Sequence, residues 1–413
     1  MTRLRFAVSL SPPARTKRLA NDALVTFVPM EAIRDGIGGI DCSRTVPLSE
    51  VQKGSYSYFE EGDVLLAKVT PCFENGKKGL AGSLENSIGF ATSEVHVIRP
   101  NYSRIDRKFL IYLVSSETFR SDGMKSMTGA GGLKRISAEA ILNHRMAITD
   151  RAEQSAIAGF LDRETARIDT LIEKKSRFIE LLKEKRTATI THAVTKGVNP
   201  DVPMKDSGVE WLGEVPEHWS SGPLKYLARL VTGMTPPTAD YDNYAEDGFP
   251  WVRPEDISEG GEPVMASKFL SDKGRSMARH VAPCSVLICC IGTIGKTGMV
   301  YQSVSTNQQI TAAESRSNPR YLYFVTVAAR IELETMATGN VLRILNTERL
   351  GAIKYPIPPL GEQATIATFL DHETTRIDTL ISLTERSIHL LKEKRSALIT
   401  AAVTGKIDVR EAA

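Results

Sequence analysis

The feature that most constrains this chain is a repeat of itself. Residues 153–195 and 362–404 align without a gap at a constant offset of 209, and 29 of the 43 aligned positions are identical. Chance does not give such a match, so the chain carries an internal duplication and its fold must use one element twice. Each copy reads as a single long helix. In the first, apolar residues return at helical spacing through Ile157, Leu161, Ile168, Leu171, Phe178 and Leu182, continuing to Ile190 and Val194. In the second they run through Ile366, Leu370, Ile377, Leu380 and Leu391, continuing to Ile399 and Val403. This alternation is the seam of a coiled coil. Proline is absent from both interiors. Asp150 followed by Glu153 has the pattern of a capping box, Pro358, Pro359 and Gly361 mark the second start, and Gly197 and Gly405 stop the two helices. At ~1.5 Å per residue each helix is roughly 60 Å long, and its apolar stripe needs a partner.

Connectivity sets the orientation. The first helix leaves one globular part and enters a second, which feeds the second helix. Paired helices must then run antiparallel, a dumbbell with a head at each end and a pseudo-two-fold axis across the pair, the symmetry a homodimer would otherwise supply. The expected division is a first head over 1–150, its globular part from about residue 20, then a helix over 151–197 and a linker over 198–222. A second head follows over 223–359, the second helix over 360–406 and a tail over 407–413.

The heads are alike in order and unlike in sequence. Val64-Leu65-Leu66 matches Val286-Leu287-Ile288, Thr92-Ser93-Glu94 matches Thr306-Asn307-Gln308, and Phe109 to Tyr112 matches Tyr321 to Phe324. Met127 to Ile136, with Gly129, Gly131 and Arg135, matches Met336 to Ile344, with Gly339 and Arg343. Strand-like Val, Ile and aromatic runs broken by Gly and Pro, next to helical stretches, predict one α+β fold used twice, and divergent heads on an antiparallel pair of conserved helices suggest two readers of different things.

Composition narrows the class. Of 413 residues, 42% are hydrophobic and 24% charged, an ordinary globular balance. No apolar run reaches the ~18 residues that span a bilayer, so no membrane is expected. The five cysteines form an odd set without CxxC spacing and the seven histidines are scattered, which argues against a disulfide framework or a zinc site and fits a reducing cytoplasm. A net charge of +3 permits nucleic-acid binding without requiring it.

Three segments then carry a family resemblance. KGVNPDVPMKDSGVEWLGEVPEHW (196–219), YPIPPLGEQATIATFLD (355–371), and IGTIGKTGMV with STNQQIT (291–300, 305–311) are similar, in order and placement, to the specificity subunit of type I restriction–modification systems. The first head departs from the pattern. It has AKVTPCFENGKKG (67–79) where the second has the GTIGKTG loop, and no PEHW-type start. The resemblance implies two target recognition domains that read double-stranded DNA and a helix pair that spaces them. It also implies two methyltransferase (M) subunits and, in the full complex, two restriction (R) subunits as partners. No cofactor would belong to this chain; S-adenosylmethionine, ATP and Mg would sit in the partner subunits.

No catalytic constellation competes with that reading. Gly295-Lys296-Thr297 lacks the earlier glycine of a P-loop, since Cys290 stands there. A turn presenting Lys296 to a DNA phosphate and a plain structural turn both remain. Asn199-Pro200-Asp201 lacks the aromatic platform of an adenine methyltransferase. Trp211 and Trp219 read as anchors of a turn, with base stacking as the alternative. The basic runs Lys183, Lys185, Arg186 and Lys392, Lys394, Arg395 are identical in the two helices and read as a solvated face, an acidic partner's surface or a DNA-backbone contact. DNA-contact candidates are Lys68, Lys77, Lys78, Lys134 and Arg135 in the first head, and Arg253, Lys296, Asn307, Gln308, Gln309 and Arg343 in the second. Amide side chains pair with adenine and arginine with guanine in the major groove. A stand-alone DNA-binding regulator and a self-sufficient enzyme are the competing functions; two unlike heads do not suit a palindromic operator, and no catalytic set is in view.

Overall fold

The computed structural model describes the chain except for residues 17–18, 35–38, 131, 148, 259–262, 340–341 and 410–413. Gly131 and the end of the expected tail thus lie outside the described residues. The chain forms two compact units, one of Met1–Ser176 with Arg386–Ala413, the other of Arg177–Glu385. Each holds one head and stretches of both long helices.

In the first head, β1 (Val8–Leu10), β2 (Leu24–Val28), β3 (Thr45–Pro47), β4 (Ser57–Glu60), β5 (Val64–Ala67), β6 (Lys78–Leu80), β7 (Ile88–Ala91) and β8 (Val95–Pro100) make two four-stranded sheets. Their orders are β1-β8-β5-β6 and β3-β2-β7-β4. Every residue of β5 is buried, and its unbroken Val-Leu-Leu-Ala run is what a strand covered on both faces requires. Two helices, α1 (Arg107–Leu113) and α2 (Glu117–Lys125), start on the side-chain caps Asp106 and Ser116. An exposed hairpin of β9 (Thr128–Ala130) and β10 (Leu133–Arg135) follows. The head begins earlier than residue 20. Leu4, Ala7 and Val8 are buried in its core, and Thr2–Arg3 pairs with Arg145–Met146.

The second head repeats this plan. Its strands are β11 (Ala228–Thr232), β12 (Tyr244–Ala245), β13 (Phe249–Val252), β14 (Lys268–Leu270), β15 (His280–Val281), β16 (Ser285–Cys289), β17 (Thr297–Val300), β18 (Val304–Thr306) and β19 (Ile310–Ser315). The sheets run β11-β19-β16-β17 and β12-β14-β13-β18-β15. Both heads contain one parallel pair, β2 with β7 (Phe27 opposite Phe90) and β13 with β18 (Val252 opposite Thr306), while the other named pairs are antiparallel. Identical strand order around that rare parallel pair makes the heads copies of one α+β fold; β12 is an added edge. Helix α4 (Pro319–Ala328), capped by Asn318, stands where α1 stands in the first.

The long helices are α3 (Arg151–Lys196) and α5 (Leu360–Val403). The Asp150 carboxylate accepts from Glu153 N at 2.8 Å, and Gly197 and Gly405 end the helices at positive φ. Within the first unit Arg395 pairs with Asp169 at 3.0 Å; within the second Arg186 pairs with Asp378 at 3.0 Å. The offset of 209 carries one pair onto the other. In the first unit Ile157 and Leu161 share a core with Ile399 and Val403, and in the second Ile190 and Val194 share one with Ile366 and Leu370, so the helices run antiparallel in both.

The seam differs from the sequence expectation in phase. Ile157, Leu161, Ile168, Leu182, Ile366, Leu370 and Ile377 are buried and Leu391 half-buried, whereas Leu171 (41% exposed), Phe178 (45%) and Leu380 (38%) face solvent. The seam runs instead through Ile172, Lys175 and Ile179, and through Ile381, Thr384 and Ile388. The helix offers neighbouring apolar pairs (Leu171-Ile172, Phe178-Ile179), and only the strict four-three step from Ile168 to Leu182 selects the second of each.

Each head is fastened to the helices by the same contacts. Buried Gln154 accepts from Asp106 N at 2.8 Å and donates to Thr149 O at 2.9 Å; its duplicate Gln363 accepts from Asn318 N at 3.4 Å and donates to Pro358 O at 2.9 Å. Asp162 takes Lys108 at 2.6 Å and the Tyr112 hydroxyl at 2.8 Å, and its duplicate Asp371 takes Arg320 at 2.5 Å. The linker aromatics serve the same end. Trp219 is buried and donates to Glu362 at 2.9 Å, and Trp211 donates to Lys354 O at 3.1 Å. Base stacking by Trp219 is thereby excluded.

Candidate nucleic-acid interface

The turn before β17 has a counterpart before β6. Gly76-Lys77-Lys78-Gly79 stands where the second head has Gly295-Lys296-Thr297-Gly298, with Gly76 at φ 76° and Gly295 at φ 77°. The first head therefore does carry the loop that its sequence seemed to lack. In both, the lysine after the glycine is a clamp. Lys77 donates to Ile33 O at 2.9 Å and Met30 O at 3.3 Å, and Lys296 donates to Pro254 O at 3.1 Å. These carbonyls belong to equivalent 3-10 turns that follow β2 and β13. Lys77 and Lys296 tie the two sheets of a head together, which favours the structural turn for Lys296 and gives Lys77 the same role. Lys78 is buried and lines a cleft with Arg120, Lys392 and Arg395.

Three first-head candidates do come together. Arg135 grips Glu94 with two 3.0 Å bonds, and Lys68 lies close enough for its charge, with that hydrogen bond, to hold the Glu94 carboxyl below its usual range. Lys134 is exposed one residue away. Thr70 fixes the hairpin, its hydroxyl accepting from Lys134 N at 2.9 Å and donating to Gly132 O at 3.0 Å. Every described residue of β9 and β10 is exposed, and a two-stranded ribbon of this kind fits the DNA major groove. Gly129, at φ 151°, is required there, since a Cβ would lie 2.2 Å from Leu133 O.

In the second head the matching segment closes through Thr338 and Ile344, whose backbones exchange bonds of 3.0 and 2.7 Å, and presents exposed Arg343. Gln308 is exposed. Asn307 is only 8% exposed and spends its amide on Gln309, donating to its side-chain oxygen at 2.9 Å and accepting from its N–H at 3.1 Å. Arg253 is engaged by Glu255 at 2.6 Å and Ser267 at 3.0 Å. Asn307, Gln309 and Arg253 therefore shape the loop; Gln308, which accepts from the Thr235 hydroxyl, and Arg343, which donates to Glu334 O, are the exposed candidates.

One feature escaped the sequence reading. The Arg44 guanidinium lies 5.0 Å over the Phe27 ring, and Arg275 lies 4.4 Å over Phe249. Phe27 and Phe249 stand on the equivalent strands β2 and β13, and both arginines are exposed. Such stacked guanidiniums suit a phosphate or base contact. The arginines come from different local contexts, so only the fold reveals the correspondence. Among the described residues no group of three or more His, Cys, Asp or Glu is placed to hold a metal ion, and no helix is long and apolar enough to cross a membrane.

Two copies of an α+β head, each fastened by duplicated contacts to stretches of both long helices, define a protein built from one unit used twice. Comparisons with known proteins narrow the class. Residues 216–392 match the family model of the type I restriction modification DNA specificity domain. The specificity subunit of the EcoEI type I enzyme of Escherichia coli is 35% identical over 135 residues, 33% of this chain and 23% of that protein. The putative MjaX specificity subunit of Methanocaldococcus jannaschii is 23% identical over 320 residues, covering 76% and 71%. The chain thus spans about a quarter of the EcoEI subunit, and more of the archaeal one. A solved chain of a type I restriction–modification system has a TM-score of 0.76 over 98% of this chain and 97% of its own, and the HsdS subunit from Thermoanaerobacter tengcongensis 0.59 over 98% and 96%, both at 18% identity. Residues 216–392 thus match the type I specificity domain, and the chain as a whole is similar in sequence and fold to type I specificity subunits.

Proposed function

We propose that this chain is the non-catalytic DNA-specificity subunit of a cytoplasmic type I restriction–modification complex. Its two heads read the two halves of a bipartite site, and the helix pair holds them at a set spacing. It docks two methyltransferase subunits, with two restriction subunits in the full assembly; S-adenosylmethionine, ATP and Mg are used by those partners. The observation that carries this reading is selective divergence. The contacts that fasten the heads recur in both copies, while outward residues beside the shared Arg135 and Arg343 differ: Glu94 and Lys134 in one head stand against Gln308 and Leu342 in the other. A duplicated scaffold with unlike surfaces suits a reader of two unlike half-sites.

The helices support docking. Leu171 and Leu181 have the duplicates Leu380 and Leu390, and all four are exposed, as are Phe178 and Leu383. They lie one residue before seam positions, on a repeated flank that a partner's apolar helix would cover. The test is methylation profiling of host DNA with and without the gene. A bipartite motif methylated only with it is expected; an unchanged profile refutes the reading. Exchange of residues 2–150 for another member's first head should alter one half of that motif. Four residues inserted near Lys174 should change its spacer or abolish modification, and an unchanged site would refute the spacing role.

A further inference from the structure

We infer that the first unit binds a phosphoryl group in the cleft between the Gly76 turn, α2 and the C-terminal stretch of α5. None of the exposed hairpin residues lines this cleft, and the inference does not rest on the proposed reading of DNA. The cleft encloses about 190 Å³ and is lined by Lys78, Arg120, Lys392 and Arg395, with Ser115 and Ser396. Glu74 and Glu117 also line it, so four cations face two carboxylates.

Lys78 decides the matter. Its side chain is 6% exposed, and its ammonium donates to Gly76 O at 3.2 Å. Arg120 is matched by Glu117 at 3.0 Å and Arg395 by Asp169 at 3.0 Å. Among the described residues Lys78 forms no ion pair, and it lies in the field of both arginines. A buried ammonium without a counter-charge is costly, and an anion supplies what the protein leaves out. The second head makes the contrast. Thr297 takes the place of Lys78 in the matching turn and donates to Gly295 O at 3.0 Å. The fold is therefore satisfied by a neutral residue there, and the lysine is an addition to the first unit alone.

The probe is inorganic phosphate, followed as the rise in melting temperature of the full chain at constant ionic strength set with chloride. The wild type should show a phosphate-specific rise. Lys78→Thr copies a turn this chain already folds and should weaken phosphate at least about tenfold, as loss of a charged hydrogen-bond donor does. Lys392→Gln, at the exposed rim, should weaken it less, and Lys134→Gln, on the hairpin, not at all. No phosphate-specific rise in the wild type, or the same rise in Lys78→Thr, overturns the inference; should that variant fail to fold, an undiminished rise in Lys392→Gln does so. A non-specific duplex that displaces phosphate assigns the group to a DNA backbone. Phosphate retained beside bound duplex assigns it to a free phosphorylated ligand.

Discussion

The two heads share strand order, parallel pair, clamp lysine and fastening glutamine, yet part at one turn: Gly-Lys-Lys-Gly in the first and Gly-Lys-Thr-Gly in the second. What stays constant is what holds sheet to sheet and head to helix. What changes is either exposed, as on the hairpins, or buried with a charge to answer for, as at Lys78. Duplication thus separates structural residues from the rest without any alignment of relatives. A basic residue present in both copies and bonded to backbone carbonyls is architecture, and one present in a single copy is a candidate for function.

The comparison is open to attack in order of effect. Leu161→Ala and Leu370→Ala remove fully buried duplicates, and each should cost about 2–5 kcal/mol by denaturant unfolding. Clearly unequal losses would break the equivalence of the two seats. Lys78→Thr, without phosphate, should stabilise the first unit at pH 7 by up to about 3 kcal/mol. Burial, with Arg395 and Arg120 nearby, pushes Lys78 down to about 8, so the unfolded chain binds the extra proton between pH 8 and the ordinary lysine range. Wild-type stability should therefore rise with pH across that window, and Lys78→Thr should flatten the rise. Gln154→Ala and Gln363→Ala strand buried backbone groups and should each cost about 1–3 kcal/mol, in the same direction in both units. Leu171→Gln and Leu380→Gln, outside the seam, should stay within about 0.5 kcal/mol; a core-sized loss would restore them to the seam.

Much of this was legible in the sequence, unevenly. The long helices, their caps and their antiparallel course followed from the repeat, because 29 identities in 43 leave little freedom. The phase of the seam was not, because Leu171 and Ile172, or Phe178 and Ile179, satisfy hydrophobicity equally and only packing chooses. The correspondence of β5 with β16 was visible as Val-Leu-Leu beside Val-Leu-Ile, but the second sheet of each head was not, since its strands are short and its parallel pair is brought together across intervening chain. Lys77 and Lys296 looked like free cations because sequence does not reveal a backbone carbonyl 2.9 or 3.1 Å from the ammonium. The correspondence of 127–136 with 336–344 was visible in their glycines and arginines, the hairpin itself was not, and the Arg44 and Arg275 stacks were invisible because each partner ring is distant in sequence.

Residues 177–385 are one unbroken run, whereas the first unit is completed only by residues from 386 onward. A ribosome therefore finishes every part of the second unit while Ile157 and Leu161 still await Ile399, Ala402 and Val403. The half made first is sealed last. A chain halted at Glu385 would keep an intact second unit and leave an oily gap in the first, a liability for chaperones and proteases to find.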